Sequence, residues 1–196
     1  MLRNYQPLPA SGLHTAIGIV EPAPGHAGSV SMDDPALEVM TDFQRVRPIT
    51  ISYHATMDCA QQTMADHRVH LLLATNERGF LAGIITSTDI EGEKPVRLVH
   101  ERGILRSEIL VSDVMTPTGR IEVLDMDDVR CARVGHVVAT LKAVGRQHAM
   151  IVDYRNGAMK VRGLLSASQL ARQLGKPVDT PWVVRSFAEV EEVLAH

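Results

Sequence analysis

Residues 79–90 read GFLAGIITSTDI, and this stretch decides the fold of the chain. A glycine turn opens it. The apolar run that follows is too short for a helix and rich in isoleucine, so it predicts a buried strand. The strand ends at Thr86, and the polar residues Ser87 and Asp89 follow. Polar groups at the mouth of a buried sheet suit a small polar ligand. A second interpretation stays open, in which Ser87 or Thr88 only caps the next helix.

The same pattern occurs a second time further along the chain. Gly163-Leu164-Leu165-Ser166 repeats the glycine, the apolar pair and the hydroxyl. Three blocks recur in the same order, which predicts an internal duplication. The spacing between blocks changes only in predicted loops, where insertions are tolerated. The matching blocks are 83–90 with 163–170, 66–73 with 144–151, and 39–41 with 114–116.

Composition favours a folded cytoplasmic protein. The chain has 196 residues, of which 45% are hydrophobic and 22% charged, enough for one sizeable core or two small ones. The net charge of −3 gives no electrostatic case for binding nucleic acid or an anionic membrane. Only Cys59 and Cys131 occur, which fits free thiols in a reducing compartment. No apolar run predicts a signal peptide or a membrane span.

Hydrophobic periodicity predicts an α/β (α+β) fold with the order strand–helix–strand–strand–helix in each repeat. Apolar residues recur at helical spacing from Met57 to Met64 and from Val134 to Val144. Gly103 and Gly175 are placed to end helices. The predicted strands are 48–52, 70–75, 80–85, 121–124, 149–153 and 160–165, and the predicted helices are 57–67, 95–102, 134–144 and 167–174.

The repeats divide the chain into four segments. An irregular, proline-rich arm is predicted for 1–35, with a short strand near 16–20, and a tail with a short helix at 187–195 for 177–196. The first repeat covers 36–110 and the second 111–176. One repeat alone is close to the smallest size that folds independently. We therefore expect the two copies to bury each other's apolar faces.

These motifs resemble a tandem pair of CBS domains, also called a Bateman module. The resemblance rests on Val39-Met40-Thr41, on its copy Val114-Met115-Thr116, and on the closing motif Gly-apolar-apolar-Thr/Ser-x-x-Asp, which Gly83–Asp89 meets in full. It implies a pseudo-twofold pair of repeats with two clefts for adenosine-containing ligands such as AMP, ADP, ATP or S-adenosylmethionine. It also implies a homodimer of modules.

The resemblance further implies roles for residues of the first repeat. Asp89 would hold the ribose hydroxyls, and Thr86 would reach toward the phosphate. A carboxylate can accept two hydrogen bonds from a vicinal diol, so the chemistry agrees. Apolar neighbours of the adenine would include Leu71, Leu72 and Ile84. The predicted first site comprises Asp89, Thr86, Ser87, Ile84, Leu71, Leu72 and His70.

The second repeat departs from the closing motif. Gln169 stands where the Asp would be, although Ser166 keeps the hydroxyl. An amide still donates and accepts hydrogen bonds, so occupancy of this second site stays open. The predicted second site comprises Ser166, Gln169, Leu164 and Met150.

Other chemistry finds little support in the sequence. His67 and His70 have a spacing that invites a metal, but no carboxylate or cysteine stands at ligand spacing. His70 also has a counterpart at His148 in the second repeat, which favours a structural or ligand-lining role. The sequence has no nucleophile elbow, phosphate loop or His-Glu-x-x-His motif. We therefore expect a sensor that binds an adenosine-containing ligand, without enzymatic activity, metal or cofactor, and signals to an unidentified partner protein. The alternative is a ligand-free structural or dimerisation module.

Overall fold

A computed structural model of the chain describes residues 6–12, 18–19, 29–155, 157–175 and 178. These residues form a mixed α/β fold, as predicted. The strands are β1 (Ser11–Gly12), β2 (Gly18–Ile19), β3 (Met40–Asp42), β4 (Thr50–Ser52), β5 (Leu71–Thr75), β6 (Leu81–Thr86), β7 (Thr116–Pro117), β8 (Glu122–Asp125), β9 (His148–Arg155) and β10 (Ala158–Ser166). The helices are α1 (Met57–His67), α2 (Ser87–Glu91), α3 (Glu93–Arg102), α4 (Val111–Val114), α5 (Met126–Cys131), α6 (Val134–Val144) and α7 (Ala167–Leu174).

The described residues divide into two compact units. The first-repeat unit contains the described parts of 12–19 and residues 47–121, which include most of the first repeat. The second-repeat unit contains the described parts of 1–11, 20–46 and 122–196. The units do not coincide with the sequence repeats. Each unit contains the Val-Met-Thr segment of the other repeat. We call these two segments, 39–41 and 114–116, the leading segments.

The first-repeat unit is built on the sheet β4-β5-β6-β7. Strands β4 and β5 run parallel because helix α1 connects them, whereas β5 and β6 form an antiparallel hairpin. The turn of this hairpin is fixed by Asn76, whose side-chain oxygen accepts hydrogen bonds from the backbone N–H groups of Arg78 and Phe80. Gly79 completes the turn with φ of +76°, a conformation that glycine adopts without strain.

The second-repeat unit repeats this arrangement. Strand β8 runs parallel to β9, and β9 pairs antiparallel with β10. The segment between β8 and β9 contains α5 and α6, so this connection too is helical. Strand β3, which overlaps the leading segment at the start of the first repeat, pairs antiparallel with β10. Strand β7 occupies the equivalent position beside β6 in the other unit.

Two buried glycines let the leading segments approach so closely. A side chain at Gly163 would place its Cβ 2.6 Å from the backbone oxygen of Thr41. A side chain at Gly83 would place its Cβ 2.4 Å from the backbone oxygen of Thr116. Real Cβ atoms do not come this near to a carbonyl oxygen. The glycine that opens each closing motif therefore serves strand pairing.

The predicted long helices and the hairpin strands of both repeats are confirmed to within a few residues. Helix α1 matches its predicted range, with Thr56 as its N-cap, and α3 ends at Gly103 in the left-handed conformation. The short helices α2 and α5 were not predicted. Helix α3 begins at Glu93, two residues before its predicted start, and the preceding short helix α2 ends at Glu91. The predicted helix at 187–195 lies outside the described residues.

Candidate functional site

The closing motif of the first repeat forms a polar cluster at the end of β6. Thr86 is the N-cap of α2, and its hydroxyl accepts a hydrogen bond from the backbone N–H of Asp89 at 3.3 Å. In return, Asp89 Oδ2 accepts from the backbone N–H of Thr86 at 3.1 Å and from its hydroxyl at 2.8 Å. This reciprocal capping box orients the carboxylate. The cap is therefore Thr86, and neither Ser87 nor Thr88.

Lys94 completes this cluster. Its ammonium donates to Asp89 Oδ1 at 2.7 Å and to the backbone oxygen of Val114 at 2.9 Å. The Asp89 side chain is 14% exposed and that of Lys94 is 44% exposed, so solvent reaches the pair mainly through the lysine. The sequence interpretation missed Lys94, because five residues and a helix boundary separate it from Asp89. Its acidic neighbours Glu91 and Glu93 make this part of the sequence look like an ordinary charged surface run, which gave no signal of a partner.

The apolar residues predicted for the first site lie on different faces of the sheet. Leu71 is paired with Thr86 across β5 and β6, and Ile84 lies two residues along the same face. Leu72 is on the opposite face, fully buried in the core beneath the helices. His70 is exposed, and its backbone oxygen accepts from the N–H of Ser87. The structure thus brings Leu71, Ile84 and Thr86 together and places Leu72 away from them.

The second-repeat unit contains an open cleft of about 450 Å³ beside its own closing motif. Gln169 lines this cleft, and its side-chain oxygen accepts a hydrogen bond from the hydroxyl of Thr41 at 2.7 Å. Leu37 and Val46, both exposed, give the cleft an apolar border. The cleft therefore offers apolar and hydrogen-bonding surface together, which is typical of small-molecule sites.

The other residues predicted for the second site lie beside the cleft and do not line it. Ser166 is buried, and its hydroxyl is 2.8 Å from that of Ser168. Leu164 and Met150 are paired across β9 and β10, and Met150 is buried. Of the four predicted residues, only Gln169 lines this cleft.

A buried ion pair lies at the inner wall of this cleft. The guanidinium of Arg162, whose side chain is 6% exposed, is paired with the carboxylate of Asp42. It donates from Nη2 to Asp42 at 2.8 Å and to the side-chain oxygen of Gln44 at 2.6 Å. Burial lowers the pKa of Arg162 by removing water from its charged form. The sequence interpretation missed this pair, although an arginine within the apolar run of β10 is an unusual placement.

The described residues contain neither a metal-binding cluster nor a membrane-spanning helix. In the part of the chain that the structure describes, no three His, Cys, Asp or Glu side chains are grouped to hold a metal ion. Within the same residues, no helix has the length and apolar character of a membrane span.

Comparison with known proteins gives a family match over the residues of the first-repeat cluster. The family model of the CBS domain matches residues 36–96, which include the closing motif with Thr86 and Asp89. The chain contains a CBS domain. A comparison with curated proteins gives no match.

Solved structures extend the similarity to the fold of a CBS-domain pair. An uncharacterized conserved protein from Pyrococcus horikoshii is 20% identical with a TM-score of 0.54, over 77% of this chain and 99% of that one. A CBS-domain protein of unknown function from Thermoplasma acidophilum is 18% identical with a TM-score of 0.52, over 72% and 69% of the two chains. The CBS-domain pair of protein MJ0100 is 18% identical with a TM-score of 0.51, over 73% and 97%. At these identities the similarity establishes the fold alone.

Proposed function

We propose that this protein is a regulatory module that binds an adenosine-containing small molecule at the closing motif of its first repeat. The observation that carries the proposal is the cluster of Thr86, Asp89 and Lys94 at the end of β6, within the CBS-domain match. The capping box holds the Asp89 carboxylate in place before a ligand arrives, which lowers the cost of binding.

The acceptor capacity of Asp89 sets how a ribose binds. A carboxylate has about four lone-pair sites, and Thr86 and Lys94 use three of them. One site, on Oδ1, is left for a ribose hydroxyl. The second hydroxyl of the diol then binds to Asp89 only if Lys94 shifts. The apolar neighbours proposed for the base are Ile84, which is half-buried, and Leu71, which is buried; both are on the same face as Thr86.

A similar protein supports the ligand class. The CBS-domain pair of MJ0100 was solved in complex with 5′-methylthioadenosine and S-adenosyl-L-methionine. For this chain we propose AMP, ADP, ATP or S-adenosylmethionine as the ligands to test. The proposed assembly is a homodimer that passes ligand occupancy to a partner protein, without enzymatic activity of its own.

Addition of the correct ligand is expected to raise the melting temperature of the full chain. A ligand at 100 times its dissociation constant stabilises a folded protein by about 2.7 kcal/mol. A thermal-shift panel of the four compounds at millimolar concentration measures this. If none of them shifts the transition, the ligand proposal fails. The alternative of a ligand-free dimerisation module then gains support if light scattering still gives a dimer.

Substitution of Asp89 distinguishes the two repeats. Asp89→Asn keeps the size of the side chain and one acceptor oxygen but removes the charge, so affinity is expected to fall about tenfold. Asp89→Ala is a poorer choice, because it also removes the capping partner of Thr86. The matched control is Gln169→Ala at the equivalent position, which is expected to leave the affinity unchanged. Titration calorimetry measures both.

A second candidate location is the cleft of the second-repeat unit, favoured by its volume of about 450 Å³. If Gln169→Ala abolishes binding while Asp89→Asn binds as tightly as the parent, the ligand occupies this cleft and the first-repeat assignment is wrong. A loss in both variants indicates that both repeats take part.

A further inference from the structure

Lys94 links two parts of the first-repeat unit that carry the proposed site. One of its N–H groups binds the Asp89 carboxylate of the closing motif, and another binds the backbone oxygen of Val114 in the leading segment. Both bonds are short, and both acceptors are held by their own secondary structure. The ammonium is thereby fixed beside the carboxylate, even though the lysine side chain is 44% exposed.

The hydrogen-bonding capacity of Lys94 is only partly used. An ammonium group has three N–H donors and no acceptor. Two of the donors are used by Asp89 and Val114, which leaves one. A positive group with a remaining donor, on the exposed side of the carboxylate, suits an anionic oxygen of a ligand.

We infer that Lys94 selects a phosphate-bearing adenosine ligand over the uncharged nucleoside. This inference rests on the proposed function, because it assumes that the ribose binds at Asp89. A ribose hydroxyl on Oδ1 of Asp89 would lie beside the same ammonium. The flexible four-carbon side chain of Lys94 can then turn its remaining N–H toward the 5′-phosphate of that ribose. Uncharged adenosine gains no ionic contact there.

The test compares the affinities of AMP and adenosine for the full chain and for Lys94→Met. In the parent chain, AMP is expected to bind about tenfold more tightly than adenosine, the effect of one charge-assisted hydrogen bond. In Lys94→Met this ratio is expected to fall to about one, because AMP loses its ionic contact while adenosine keeps all of its contacts. Lys94→Arg, which keeps the charge, is expected to retain most of the preference for AMP. Titration calorimetry with both ligands gives the ratio directly.

Arg97→Met is the matched control, because Arg97 is a basic residue on the same helix and pairs with Glu101 on the exposed surface. It is expected to leave the ratio as in the parent. A purely structural role for Lys94 would weaken AMP and adenosine equally, and an unchanged ratio in Lys94→Met overturns the inference while leaving the proposed function intact. If the parent binds neither AMP nor adenosine, this inference fails. The proposed function fails as well only if no compound of the thermal-shift panel binds.

Discussion

Replacement of Asp42 by alanine is expected to lower the free energy of unfolding by about 3–5 kcal/mol. Asp42 is the carboxylate partner of Arg162, whose side chain is only 6% exposed. Removal of Asp42 leaves the guanidinium buried without its nearest counter-charge. An arginine cannot escape this by deprotonation, although burial lowers its pKa. The Asp153 carboxylate, 4.0 Å from Arg162 Nε, remains in place, so the lower end of the range is expected.

Urea unfolding monitored by circular dichroism measures this change. The double variant Asp42→Ala with Arg162→Met removes both charges and is expected to recover a large part of the lost stability. Asp127→Ala is the surface control. Asp127 is 84% exposed and pairs with Arg130 in the same unit, so its loss is expected to cost less than about 1 kcal/mol. Equal effects of Asp42→Ala and Asp127→Ala would show that the buried pair contributes no more than a surface pair.

Local patterns in the sequence predicted the regular elements well. Helix α1 has an apolar stripe and a threonine cap, and the hairpin of β5 and β6 has an asparagine–glycine turn. Each of these signals lies within a few residues of the element that it specifies. The short helix α2 gave no comparable signal, because five residues are fewer than two turns and show no periodicity. The same reason applies to α5, which has six residues.

Contacts between distant residues could not be predicted in the same way. Asp42 and Arg162 are 120 positions apart, and their pairing follows from the leading segment lying on β10. Nothing in a local window indicates that a Val-Met-Thr segment joins the sheet of the other repeat. For the candidate site, Thr86 and Asp89 of the closing motif are hydrogen-bonded to each other in the structure, and their binding of a ligand stays a prediction. Lys94 was missed, because its contact depends on where α3 begins.

The glycines of the closing motifs, Gly83 and Gly163, lie within the predicted strands, and the structure gives them a role that can be tested. Gly163→Ala is expected to destabilise the chain by about 3 kcal/mol, the upper end of the usual cost of overpacking. Its new Cβ would lie 2.6 Å from the backbone oxygen of Thr41. A backbone carbonyl in a paired strand cannot turn aside as a flexible side chain can. Relief therefore requires that β3 move away from β10, with loss of hydrogen bonds between the two strands.

Gly83→Ala is expected to have a similar effect in the other unit, where the new Cβ would lie 2.4 Å from the Thr116 oxygen. Gly119→Ala is the control, because no atom lies within 4 Å of its Cβ position. This variant is expected to leave the free energy of unfolding unchanged or to raise it by roughly a few tenths of a kcal/mol, because alanine restricts the unfolded chain. Thermal and urea unfolding of the three variants measure the differences. If Gly163→Ala and Gly83→Ala unfold like Gly119→Ala, the leading segments do not depend on these close approaches. Both strand pairs would then have room for a methyl group.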